Sequence, residues 1–165
     1  MTGPEIITET ALAAALLAAL IALTVIDLRT YRLPDLITLP LIAAGVLAAW
    51  LLGSPLWLHA LGAGVGYLAL VGVEKAYERA RGRQGLGRGD AKLFAAGGAW
   101  CGALALPFIL LAASVSALLY VGALKLASGR AIAADDMIAF GPFLAFGIAL
   151  IFMLERLGLA APLGL

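Results

Sequence analysis

Residues 9–27 read ETALAAALLAALIALTVID, and the chain continues through residues 27–40 as DLRTYRLPDLITLP. The first stretch carries no charge between Glu9 and Asp27, and its length is close to the about 20 residues a helix needs to cross a hydrocarbon core. Further apolar segments follow at 36–52, 56–73, 93–106, 107–125 and 137–154. Turn or charge signals separate them: Arg29 to Asp35, Gly53-Ser54-Pro55, Glu74 to Lys92, Pro107, and Ser128 to Asp136. Of the 165 residues, 64% are hydrophobic and 13% charged, with a mean hydropathy of +1.07. A soluble domain carries about 25% charged residues. The apolar surplus needs lipid as its solvent, so the expected fold class is all-α, a polytopic membrane protein of about six transmembrane helices.

Charge orients this bundle. Arg29 and Arg32 lie in the first connection, and Lys75, Arg79, Arg81, Arg83, Arg88 and Lys92 in the third. Lys125 and Arg130 lie in the fifth, whereas only Arg156 falls on the other side, with Glu5 and Glu9 marking the N-terminus. Lys and Arg accumulate in cytoplasmic loops, which places these three connections in the cytoplasm and both termini outside. Trp50 and Trp57 flank the outer Gly-Ser-Pro turn, where an aromatic belt belongs. The first ten residues hold no Lys or Arg, so the first segment reads as a retained helix, not a cleavable signal. A net charge of +1 gives no field directed at nucleic acid. The single cysteine, Cys101, excludes an internal disulfide or a thiolate zinc site. In its apolar run it reads as a buried thiol.

Two aspartates carry the chemistry. Asp27 ends the first segment, at the negative end of a helix macrodipole and near the hydrocarbon boundary, where ionisable groups are costly and usually functional. Alone it also reads as a loop residue paired with Arg29 or Arg32. Asp90 closes Gly85-Leu86-Gly87-Arg88-Gly89-Asp90, where an aspartate also suits a helix N-cap. The glycines let backbone approach an extended peptide without Cβ obstruction. The topology puts both acids at the cytoplasmic membrane surface on different helices. Two close carboxyls cannot both ionise cheaply, so one keeps a proton to donate while the other activates water. Peptide hydrolysis by such a pair requires no metal, cofactor or nucleophilic serine.

Around them, Asp35 reads as the N-cap of the second helix. Lys92 reads as a supporting charge for Asp90 or a lipid-headgroup contact. Gly62, Gly64, Gly66 and Gly72 lack the preceding strand that a dinucleotide fingerprint needs; Gly62 and Gly66 have the spacing of close helix packing. Gly141-Pro142 interrupts the last segment, either as a kink or as a break lining a substrate path. His59 reads as interfacial at the outer end.

Asp27 to Asp35 with Leu36-Ile-Thr-Leu-Pro40 resembles the first aspartate motif of the bacterial prepilin peptidases, an Asp, five variable residues, an aliphatic residue and Pro. Gly87-Arg88-Gly89-Asp90-Ala91-Lys92-Leu93 resembles their GxGD motif, and Gly97 to Gly102 and Phe140 to Ala145 resemble two further family stretches. The resemblance implies that residues 1–165 form a single integral membrane peptidase domain with Asp27 and Asp90 as catalytic residues. Pro34, Asp35, Gly87, Gly89, Lys92, Gly141 and Pro142 take supporting or substrate-binding places. It implies cleavage of the basic leader of type IV prepilins or pseudopilins, for a pilus or secretion system, at the cytoplasmic face of a bacterial inner membrane. The partners are those substrates and membrane lipids, with no nucleic acid. Glu74, Glu78, Asp135 and Asp136 are the acids suited to a basic leader. Larger members carry an N-terminal domain with paired CxxC motifs linked to N-methylation; this chain looks like the short branch. An ion- or proton-coupled transporter using the same aspartates is the alternative, and it would favour acids at mid-membrane. A non-enzymatic assembly partner would not need the two acids.

Overall fold

The computed structural model describes residues 3–82, 87–128 and 139–159. Among them run α1 (Gly3–Thr30), α2 (Asp35–Leu51), α3 (Leu56–Arg81), α4 (Arg88–Cys101), α5 (Leu106–Ser128) and α6 (Gly141–Arg156), with a 3-10 turn at Ala103–Ala105. The described chain is all-α. Three stretches are long and apolar enough to cross a membrane, Ile6–Thr30, Leu56–Arg81 and Ala103–Ala127, and Asp35–Leu51 is a shorter apolar helix. Large apolar side chains such as Leu36, Leu118 and Leu126 stand exposed, the surface of a protein solvated by lipid. Arg83, Gly85, Leu86, Arg130, Asp135 and Asp136 lie outside the described residues.

α4 is the axis of the bundle, buried from Asp90 to Cys101 save for Lys92. Its run of small residues explains this, because without a hydrophobic force between helices in lipid, close backbone approach supplies the packing. Gly62 of α3 and Gly98 of α4 meet with no room for a side chain at either position. One turn on, a Cβ at Gly66 would lie 3.0 Å from the Phe94 carbonyl. Gly64 and Gly72 face open space, so the packing reading holds for the glycine pair that has helical spacing. On its other sides α4 receives Gly45, which abuts Trp100 and Ala99, and presents Gly97 to Ile148 of α6. Trp100 also donates its indole N–H to the Leu41 carbonyl at 2.9 Å.

The boundaries differ from the expected ones in informative places. α4 begins at Arg88 rather than 93, because burial outweighs the polar character of its first turn. It ends at Gly102, whose φ of +81° reverses the chain, and not at Pro107. That proline is the second residue of α5, where its missing N–H has no helical partner to lose. α3 continues past residue 73 to Arg81 and stops at Gly82, in the left-handed region at φ +68°. At the opposite end from these arginines, Arg156 pairs with Glu9 at 2.8 Å, so the basic outlier is neutralised. His59 is half-buried, its Nδ1 lying 2.9 Å from the Ala99 carbonyl. A carbonyl only accepts, so Nδ1 carries the proton.

The Gly62–Gly98 contact is testable. Gly98→Val forces two backbones apart and is expected to destabilise the protein by about 3 kcal/mol, the upper range of overpacking. Gly64→Ala, in open space, is expected to leave the thermal midpoint of the detergent-solubilised protein unchanged. A Gly98→Val protein that melts with the parent would refute the packing account.

Candidate active site

Asp27 sits in the last turn of α1. The helix stops there because Tyr31 adopts φ +53°, donating its N–H to the Asp27 carbonyl at 2.8 Å. A bulky residue at positive φ is uncommon and tends to occur where surrounding structure overrides local preference. The turn carries Leu33 inward against α4, where a Cβ on Gly89 would lie 2.8 Å from the Leu33 Cβ. Gly89 is therefore what lets the two aspartate-bearing stretches touch. Asp90 lies in the first turn of α4; Gly87 is the N-cap and accepts the Asp90 backbone N–H at 3.0 Å. Asp90 is thus not the cap itself.

Both acids are nearly withdrawn from solvent, at 5% and 9% exposure for Asp27 and Asp90. They line one cavity of about 260 Å³ with Tyr31, Arg32, Leu33 and residues 87–89. Burial pushes the Asp90 carboxyl up to about 7, the charge of Asp27 adds to it, and the backbone hydrogen bond from Gly87 pulls the other way.

α6 completes the site. Its first residue, Gly141, donates its N–H to Asp27 Oδ2 at 3.1 Å. The positive end of the α6 macrodipole thereby offsets the negative end of α1 on which Asp27 sits. A Cβ at Gly141 would come within 2.5 Å of Oδ2. Gly141-Pro142 does not interrupt a helix, as expected from the apolar run, but starts one. Pro142 occupies the first turn, where proline is favoured.

Asp35 and Lys92 depart from their expected places. Pro34 is the N-cap of α2, and no side chain caps that helix. The Pro34 carbonyl instead accepts the N–H groups of Ile37 and Thr38. Asp35 pairs with Lys92, Nζ to Oδ1 at 2.5 Å, so Lys92 is matched to Asp35 rather than Asp90. Neither lines the cavity. Of the acids suited to a basic leader, Glu74 is buried and Glu78 is exposed. Sequence patterning does not single out Tyr31, Arg32 or Arg88 as site residues: the arginines read as topology signals, and no residue pattern announces Tyr31's positive φ.

Two carboxyls in one cavity, one backed by a helix N-terminus and the other raised toward neutrality, can hold a single proton and polarise a water between them. Among the described residues no group of three or more His, Cys, Asp or Glu is placed to hold a metal ion.

Comparison with known proteins agrees with the motifs. The prepilin leader peptidase/N-methyltransferase of Aeromonas salmonicida (strain A449) is 48% identical over 106 residues, covering 63% of this chain and 36% of that protein. The protein of the same description from Burkholderia pseudomallei (strain 1026b) is 44% identical over 102 residues, 61% of this chain and 33% of the relative. That of Neisseria gonorrhoeae is 42% identical over 116 residues, 70% of this chain and 41% of the relative. The aligned stretch is thus well under two thirds of each relative. No solved structure matches the chain. The model of the type IV leader peptidase family matches residues 14–122, a range that takes in both aspartates and the Leu33–Gly89 contact between them. On that match, the chain belongs to the type IV leader peptidase family.

Proposed function

We propose that the protein is a membrane aspartyl endopeptidase that removes the leader of type IV prepilins or pseudopilins at the cytoplasmic face of a bacterial inner membrane, with residues 1–165 as one peptidase domain. The observation that carries this reading is the shared cavity of Asp27 and Asp90. Lys75, Arg79 and Arg81 close α3 in the connection that leads to α4 and Asp90, and basic residues at that end support a cytoplasmic site.

In this reading the two acids divide the roles. Asp27, hydrogen-bonded by Gly141, is the ionised base that takes a proton from water as its oxygen attacks the scissile carbonyl. Asp90 donates its proton to the carbonyl oxygen, giving a neutral tetrahedral diol. Collapse returns a proton from the diol to Asp90 and passes the one on Asp27 to the leaving amine, which restores the starting state. Such general acid–base steps act through groups whose pKa lies near the working pH.

The sign of the pH dependence follows. Asp90, pushed up to about 7, is protonated below that value and loses its proton above it. Cleavage is therefore expected to decline as pH rises through about 7. The test uses a prepilin with a basic leader, added to membrane vesicles carrying the protein and read as a size shift on a gel. Inside-out vesicles are expected to cleave and sealed right-side-out vesicles are not. Absence of cleavage in both sinks the activity, cleavage only in right-side-out vesicles sinks the orientation, and a rate still climbing above pH 8 sinks the role of Asp90 (that limit taken as about one unit above its pKa).

A further inference from the structure

Lys92 is a locally poor choice of residue. It follows Asp90 on α4, near the positive end of that helix's macrodipole and beside Arg88, where a cation is disfavoured. A residue that breaks a local rule calls for a compensating partner, and Asp35 is that partner, its Oδ1 2.5 Å from Nζ. Asp35 in turn has no capping duty. The bond joins α2 to α4 across 57 positions of sequence. It does so just beyond the two stretches that present the aspartates: α1 and the 31–34 connection on one side, the first turn of α4 on the other. Leu33 on Gly89 makes the apolar half of the same junction. That contact resists compression but offers nothing directional against sliding. The ion pair supplies direction.

We propose that the Asp35–Lys92 pair is a positioning brace that sets the separation of Asp27 and Asp90, governing turnover rather than prepilin docking. The inference rests on the peptidase reading above. Side-chain exposure of 22% for Lys92 and 58% for Asp35 makes the pair solvent-screened, and such pairs contribute little to global stability. A positioning role therefore predicts lost turnover without lost protein, since a small misplacement of catalytic groups by a distant change costs up to about a hundred-fold.

The experiment compares Asp35→Asn, Lys92→Met, the double variant and Lys92→Arg, each as the full chain in detergent micelles with a prepilin substrate. Each single substitution is expected to lower kcat by about ten- to a hundred-fold with KM unchanged. The double variant should be little worse than either single, because both remove one interaction. Lys92→Arg keeps the charge and should recover most of the rate. A second arm reads no cleavage. Spin labels at Leu36→Cys and Arg88→Cys, with Cys101→Ala, report the distance between the starts of α2 and α4. That distribution is expected to be narrow with the pair intact and to broaden in Asp35→Asn. A rise in KM at constant kcat, fully multiplicative losses, or an unchanged label distribution overturns the brace. Should the parent protein cleave nothing, the peptidase reading fails, and the label distances alone decide the brace.

Discussion

Asp27→Asn and Asp90→Asn are each expected to abolish leader cleavage while the protein stays in the membrane at the parent's level. An amide keeps the size of the side chain, and its carbonyl oxygen at position 27 can still accept the Gly141 N–H, so the fold loses little. What it cannot do is take the proton from water, or hold and return the one that Asp90 donates. Members of one catalytic unit act non-additively. Each single variant should lose roughly four orders of magnitude in rate, and the double variant should be scarcely slower. The measurement is the size shift of a prepilin over time, normalised to enzyme in the membrane fraction. Either variant retaining a tenth of the parent rate would remove that aspartate from the mechanism.

Gly141→Ala is expected to be the most damaging single-methyl change near the site. The added Cβ would lie 2.5 Å from Asp27 Oδ2 and 3.0 Å from its Cγ, so either α6 withdraws or the carboxylate turns out of the cavity. Both break the hydrogen bond that holds Asp27 against the positive end of α6. A loss of about a hundred-fold in kcat is expected, the scale of misplacing a catalytic group by about an ångström. The thermal midpoint should move little, because the helix can relax at its first residue. Pro142→Ala is the contrast: proline in the first turn donates no N–H that the helix uses, and its replacement should cost less than about 1 kcal/mol of stability with near-parent turnover. Parent-like kcat in Gly141→Ala would show that Asp27 acts without α6.

What was legible in the sequence is what depends on neighbours along the chain. Apolar length separates lipid-crossing segments from connections, and the arginines and lysines between them order the ends. The two aspartates stood out because an acid at the edge of an apolar run is costly, and because each sits in a stretch of family-like spacing. The same locality explains the misplaced boundaries. Residues 88–92 look like a charged linker, yet the contact of Gly89 with Leu33 and the burial of Asp90 and Ala91 carry them into α4. Pro107 looks like a break, yet proline is at ease in the first turn of a helix.

The sequence by itself determined an all-α membrane protein, its segments, and a pair of carboxylates on two of its helices. The tertiary structure decided what Asp27 and the neighbouring Asp35 meet. Gly141 reaches Asp27 across 114 positions and Lys92 reaches Asp35 across 57, and no local pattern encodes either meeting. Both depend on how far α4 and α6 slide against their neighbours. That distance is fixed by glycine contacts such as Gly62 on Gly98 and Gly147 on the Ile109 carbonyl. In lipid, where helix association rests on close backbone packing rather than on hydrophobic collapse, such contacts set the register of the bundle. The register brings the N-terminus of α6 to Asp27 and sets the first turn of α4, which carries Asp90, against Leu33.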